Sequence, residues 1–197
     1  MRVLIACEYS GTVRDAFIAA GHQAVSCDIL PTDVEGPHIQ DDVLEVLKYT
    51  HGWDLLIAHP PCTFLSNAGA RFLYPKGVLD ENRLAKGLVA KDFFMSLYNA
   101  NVPRIVVENP VPSKIYGLPQ YNQVIEPYEF GHPFKKKTCL WLKNVPPLMA
   151  TMFVEHSQST KVAGNWFNKG GKERQKNRAK TFEGIAQAMA AQWGNLL

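Results

Sequence analysis

The sequence predicts an α/β protein, a doubly wound and mostly parallel sheet with helices on both faces. Three observations carry this. Short apolar runs of strand length alternate with helix-length patterns through the first 110 residues. Several of those runs stop abruptly at polar residues, as strands do at the carboxyl edge of a parallel sheet. A length of 197 residues, 46% hydrophobic and 20% charged, suits one globular domain.

Residues 2–7, "RVLIAC", read as the first strand. "GTVRDAFIAA", Gly11 to Ala20, follows as a helix, with Gly21 as its stop. Residues 23–28, "QAVSCD", read as a second strand ending in an acid. Asp42 to about Tyr49 reads as a short helix, and 53–58 as a third strand. That strand leaves through Pro60-Pro61, which cannot continue a ladder and make a stiff exit ending in Cys62. Roughly 80–100 reads as a long helix that opens with acids, as the helix dipole favours. "PRIVVENP", 103–110, is a fourth strand that again ends in an acid and a proline. Beyond it, 127–142 reads as one or two strands broken by Gly131 and Pro133, 143–180 carries no strong pattern, and 181–193 reads as an amphipathic helix. There is no internal repeat, and 1–197 reads as a single domain.

No apolar run is long enough to span a membrane, and the first ends too soon at Glu8 for a signal peptide, so a cytoplasmic protein is expected. The four cysteines, Cys7, Cys27, Cys62 and Cys139, show no CxxC spacing and no accompanying His cluster, so no metal is expected. Cys7, Cys27 and Cys139 sit in apolar runs and read as small buried hydrophobes, whereas Cys62 has a loop context. Net charge is +3, but "KGGKERQKNRAK", 169–180, holds six basic residues and one acid, leaving 15 basic against 17 acidic elsewhere. That run suits a polyanion partner; a solvated loop is the plainer alternative.

Glu8-Tyr9-Ser10-Gly11, Asp28, Cys62 and Glu108-Asn109 all fall at strand ends and would line one edge of the sheet. The first turn leads into a helix N-terminus, a natural anion site. Its lone glycine is not a dinucleotide fingerprint. Asp28 fits either a ribose-gripping acid or a loop cap, and the residues alone leave both open.

"HPPCTFLS" is similar to the Pro-Cys loop of the cytosine-C5 DNA methyltransferases, and "VVENP" resembles that family's Glu-Asn strand end. The order of first turn, strand-two acid, Pro-Cys and Glu-Asn also agrees, over about residues 1–142 and more loosely the last helix. The resemblance implies a Rossmann-like S-adenosylmethionine-dependent methyltransferase fold and a DNA (cytosine-5-)-methyltransferase activity. Cys62 would add to cytosine C6, and Glu108, with Asn109 beside it, would engage N3 and the exocyclic amine. The plainer alternatives are an inert thiol and a structural acid. By the same resemblance the S-adenosyl-L-methionine site would comprise Glu8 toward the sulfonium, Tyr9, Ser10 and Gly11 at the first turn, Asp28 at the ribose, Ile29 on the adenine face, Asp42 at the adenine amine, and Pro60. Ser66, Lys135, Lys136 and Lys137 would meet the nucleic acid.

Three departures stand out. The first turn keeps one glycine of the family's Phe-x-Gly-x-Gly pattern. Phe134-Lys135-Lys136-Lys137-Thr138 replaces a Gln-x-Arg-x-Arg segment, giving charge without the guanidinium fork. A separate target-recognition domain is lacking: only 143–180 occupies its place. There Lys172, Arg174, Lys176 and Arg178 would track a phosphate backbone, and Trp166 and Phe167 would stack on a base or pack on the sheet. The expected partner is DNA, single-stranded or with a flipped cytosine, with room for a partner protein to supply specificity. The alternatives are the same chemistry on a free cytosine nucleotide or RNA, and an inactive nucleic-acid-binding homologue.

Overall fold

The computed structural model describes residues 1–155 and 180–196. Among these, seven strands form one sheet: β1 (Arg2–Ala6), β2 (Gln23–Asp28), β3 (His38–Gln40), β4 (Leu55–Ala58), β5 (Arg104–Pro110), β6 (Gln123–Ile125) and β7 (Thr138–Lys143). Their spatial order is β3-β2-β1-β4-β5-β7-β6. The first five run parallel, and β7 lies antiparallel between β5 and β6. The helices are α1 (Thr12–Ala19), α2 (Val43–Tyr49), α3 (Asn67–Ala70), α4 (Glu81–Tyr98) and α5 (Glu183–Trp193).

The central strands read as unbroken apolar runs because both of their faces are covered. Strand alternation divides them between two cores. Val3, Ile5, Leu55, Ile57 and Val106 face α1 and α5, meeting Phe17, Met189 and Trp193. Leu4, Ala6, Leu56, Ile105 and Val107 face the other way, meeting Val43, Val46, Phe94 and Trp141. Trp141 fills that second layer edge-on to Phe94, with ring centroids 4.9 Å apart.

The structure corrects several boundaries. The third predicted strand begins at Leu55, because Asp54 turns its carboxylate to accept the Arg2 backbone N–H at 2.6 Å. Within 127–142 only β7 is extended. Pro127–Glu129 is a 3-10 turn, fixed when Glu129 accepts the Glu126 backbone N–H. The three-residue edge strands β3 and β6 were not expected.

Strand order reverses between β1, whose chain continues outward through β2 and β3, and β4, whose chain continues to β5. Open α/β sheets bind ligands in the crevice outside the carboxyl ends at such a reversal.

Candidate functional site at the switch point

The chain leaves β1 through Cys7, a non-glycine residue in the left-handed region at φ 59°. That turn tucks Glu8 beneath the start of α1. Glu8 is buried, and its two carboxylate oxygens accept the backbone N–H groups of Val13 at 2.7 Å and Arg14 at 3.2 Å. Ser10 Oγ donates to the same carboxylate at 3.3 Å. Its carboxylate supplies the negative charge that the α1 N-terminus attracts. Gly11, at φ 74°, is the α1 N-cap. Cys7, Glu8, Tyr9, Ser10, His59, Lys180 and Thr181 line a small open cleft at the sheet's reversal point. Burial raises the Tyr9 hydroxyl pKa, and Asp33 and Asp28 add to the effect.

At the end of β2, Asp28 accepts the Leu30 backbone N–H at 2.9 Å. Burial raises its pKa, with the Leu30 amide, the His38 charge and the Ile29 amide partly offsetting. Ile29, next to it, is 72% exposed. A half-buried carboxylate beside an uncovered aliphatic side chain can grip a sugar hydroxyl and cover an aromatic ring. Asp42 caps α2, accepting the Leu44 N–H at 2.8 Å, so one of its oxygens is committed. Its neighbour Asp41 accepts the Asp42 N–H at 2.7 Å and the Tyr49 hydroxyl at 2.9 Å.

Register joins the other two predicted motifs. Ala58 of β4 pairs with Val107 of β5, so His59 and Glu108 emerge side by side. His59 Nδ1 and Glu108 Oε2 share a hydrogen bond at 3.1 Å. One residue on, Asn109 Nδ2 donates to the Pro60 carbonyl at 3.0 Å. Two hydrogen bonds thus tie the Pro-Pro-Cys loop to the Glu-Asn strand end. Asn109 is buried; its Nδ2 holds the loop, and its Oδ1 has no hydrogen-bond partner among the described residues. Pro60 is buried, with its carbonyl accepting from Asn109.

Cys62 stands exposed beyond that anchor, its carbonyl accepting the Ser66 N–H at 3.2 Å. The other thiols are suppressed. Burial, then nearby carboxylates, raises Cys7 far above the ordinary range, Cys27 to about 12 and Cys139 to about 11. For Glu108 burial pushes the pKa up, but the His59 hydrogen bond and charge, with Lys136, prevail and hold it below the usual carboxylate value. A lowered folded-state pKa means the ionised form stabilises the fold above the ordinary glutamate range. That contribution is lost as pH falls through the lowered value.

The fold is a Rossmann-like doubly wound sheet, mostly parallel, with β7 antiparallel between β5 and β6. Among solved structures, the chain is similar to one from E. coli described as a DNA modification methyltransferase encoded within a prophage (12% identity, TM-score 0.49, 79% of this chain and 52% of that one). It is also similar to the Entamoeba histolytica methyltransferase EhMeth (12%, 0.46, 81% and 57%). A third is the S. pombe Dnmt2 methyltransferase (14%, 0.44, 82% and 52%). The chain spans about half the length of each. No protein-family model and no curated protein matches the sequence.

Of the expected nucleic-acid contacts, Ser66 is buried, and its hydroxyl accepts the Gly69 N–H at 3.2 Å to cap α3. Lys135 and Lys136 are half-buried and Lys137 is exposed. The Lys136 backbone N–H donates to Glu126 at 2.7 Å, and its ammonium lies 5.8 Å from the Phe182 ring centroid. Lys172, Arg174, Lys176 and Arg178, with Trp166 and Phe167, lie outside the described residues. Sequence reasoning missed two features. One is His59. The other is a patch just after α3, where exposed Phe72 and Tyr74 stand with Arg71, whose guanidinium lies 4.6 Å from the Phe72 ring centroid. Its signal is the interleaving of basic and aromatic residues in "ARFLYPK". Among the described residues no cluster of His, Cys, Asp or Glu is arranged to hold a metal, and no helix is long and apolar enough to cross a membrane.

Proposed function

We propose that the chain is an S-adenosylmethionine-dependent methyltransferase acting on C5 of cytosine in DNA. The observation that carries the reading is the pair of hydrogen bonds, His59 to Glu108 and Asn109 to Pro60, that fastens the Cys62 loop beside the Glu108 carboxyl. A thiolate from Cys62 adds to C6, and the Glu108 carboxyl hydrogen-bonds or protonates N3, so that C5 becomes enamine-like. Glu108 also accepts from the exocyclic amine. Water at the open edge takes the C5 proton, after which the C6–S bond breaks.

The residues present fit the donor. The cleft offers Tyr9 and Ser10 at the first turn, and the β2 end offers Asp28 and Ile29. When bound there, S-adenosylmethionine supplies the methyl group from its sulfonium. A nucleic acid is favoured over a free nucleotide by the Arg71–Phe72–Tyr74 patch close to the catalytic loop, where a base can stack. Lys135–Lys137 and the basic run add charge.

Incubation with labelled donor and a panel of DNA, RNA and free nucleotides, followed by nucleoside analysis, tests this directly. Label should appear in 5-methylcytosine from DNA. DNA containing 5-fluorocytosine should trap a covalent complex, because fluorine does not leave as a proton does. An active preparation that forms no such complex rules out C6 attack. Charge reversal at Lys172, Arg174, Lys176 and Arg178 should weaken DNA binding and lower the slope of log affinity against log salt, by about 0.7–0.9 for each phosphate no longer neutralised. An unchanged slope returns the run to a solvated loop.

A further inference from the structure

His59 joins the two halves of the site, and no step above uses its ability to titrate. Its side chain is 8% exposed. Nδ1 faces Glu108 Oε2 at 3.1 Å, while Nε2 is buried with no hydrogen-bond partner among the described residues. Buried polar atoms are rarely left so, and an exception calls for a reason. The Glu108 side chain is itself only 17% exposed. The groups around the pair are Lys136 beside Glu108, Cys139 on β7, and Cys7, Glu8, Tyr9 and Lys180 across the cleft. Lys180 pairs with Asp33 at 2.8 Å. An imidazole and a carboxylate in hydrogen-bond contact and largely screened from bulk water are placed to pass a proton between them.

This inference rests on the proposed function and deepens it. We propose that His59 is the proton store for Glu108, so that the pair delivers to cytosine N3 the proton that C6 addition requires. As the Cys62 sulfur bonds to C6, the C5=C6 electron pair shifts toward C4 and the C4=N3 pair moves onto N3. N3 takes a proton from Glu108, and Glu108 takes one from His59 Nδ1, leaving a neutral imidazole. When product forms, N3 returns that proton by the same path. With Nε2 enclosed and unpartnered, Nδ1 is the nitrogen that exchanges the proton. His59 acts through Glu108 and is a positioning residue.

The test is single-turnover methyl transfer as a function of pH in wild type and His59→Asn, which can keep an amide N–H near the Nδ1 position but cannot titrate. His59→Gln serves as a second variant. The expected result is a fall of about 10²-fold in rate and a flattened profile between roughly pH 5 and 8. A merely structural role would lower the melting temperature and leave the profile's shape intact. Wild-type rate and profile in both variants would overturn the proposal. A wild-type chain that methylates no cytosine overturns the function reading, and the relay with it, and is recognised from the wild-type reaction alone. A readout independent of activity is side-chain ¹⁵N NMR. In Glu108→Gln the His59 ¹⁵Nδ1 signal at fixed pH should move from its wild-type position, because the carboxylate that shares the Nδ1 proton is gone. An unchanged signal overturns the shared proton.

Discussion

Cys62→Ser is expected to lower methyl transfer by about 10³-fold or more, on the order of what loss of a nucleophile does elsewhere. Donor affinity and the denaturation midpoint should stay close to wild type. The reasoning is local. The exchange replaces one sulfur on an exposed side chain. The loop that carries it is held by other groups: the Asn109 bond to Pro60, the Ser66 cap, and Arg83, whose guanidinium donates to the carbonyls of Thr63 at 3.3 Å and Gly69 at 2.9 Å. A serine hydroxyl ionises far less readily than a thiol, so the attacking anion becomes scarce. Cys27→Ser and Cys139→Ser are the contrasting controls. Both sites are fully buried, and a hydroxyl there should cost stability while the chemistry survives. The measurements are single-turnover transfer, donor calorimetry and urea unfolding. Retained activity in Cys62→Ser would remove the thiol from the reaction.

That Cys62 and Glu108 follow apolar runs ending at one edge of a parallel sheet was legible, and the pairing of β4 with β5 sets the two strand ends side by side. Strand direction and order in the second half were not legible. β7 reads as a buried strand in "TCLWL", but its antiparallel place between β5 and β6 is a tertiary choice. β3 and β6 have three residues each, too few to show a period. Roles of polar residues divided along the same line. Ser66, Asn109 and Glu8 belong to plausible loops, yet a side chain that caps a helix or holds a loop looks the same in sequence as one that meets a ligand. Burial and partners add what the sequence does not: each is buried and hydrogen-bonds to backbone, Glu8 to the Ser10 hydroxyl as well. His59 carried a signal that went unused, a titratable residue directly after a buried strand and before the rigid prolines.

Arg14→Ala should have the largest effect on stability, about 3 kcal/mol, and should weaken donor binding at least tenfold. Arg14 is fully buried, although a guanidinium keeps its charge in a protein. It is compensated from several sides. Nε donates to Asp15 at 2.7 Å, Nη1 to the hydroxyls of Ser26 and Thr32 at 3.3 Å each, and Nη2 to the carbonyls of Val34 at 3.4 Å and Glu35 at 3.2 Å. The side chain thereby fastens the loop after β2, which starts at Ile29 beside Asp28, to α1. Truncation leaves several of these acceptors without a donor and opens a cavity. Because Asp15 is half-exposed and relaxes into water, the lower end of the cost for breaking a buried charge network applies. At about 2–4 °C per kcal/mol for a chain of this size, the melting temperature should fall by about 6–12 °C. Gly11→Ala attacks the same joint from the other side. Gly11 adopts φ 74°, and an added Cβ would stand 2.5 Å from Arg14 Nη2 and 2.7 Å from Val34 Cγ2. The two changes should therefore not add. With Arg14 already truncated, the nearest obstacle to the new methyl group is gone, and only the backbone strain and the Val34 contact remain. A double variant whose loss equals the sum of the single losses, measured by urea unfolding, would show that Gly11 and Arg14 act on stability separately and that the guanidinium does not hold the first turn and the β2 loop together.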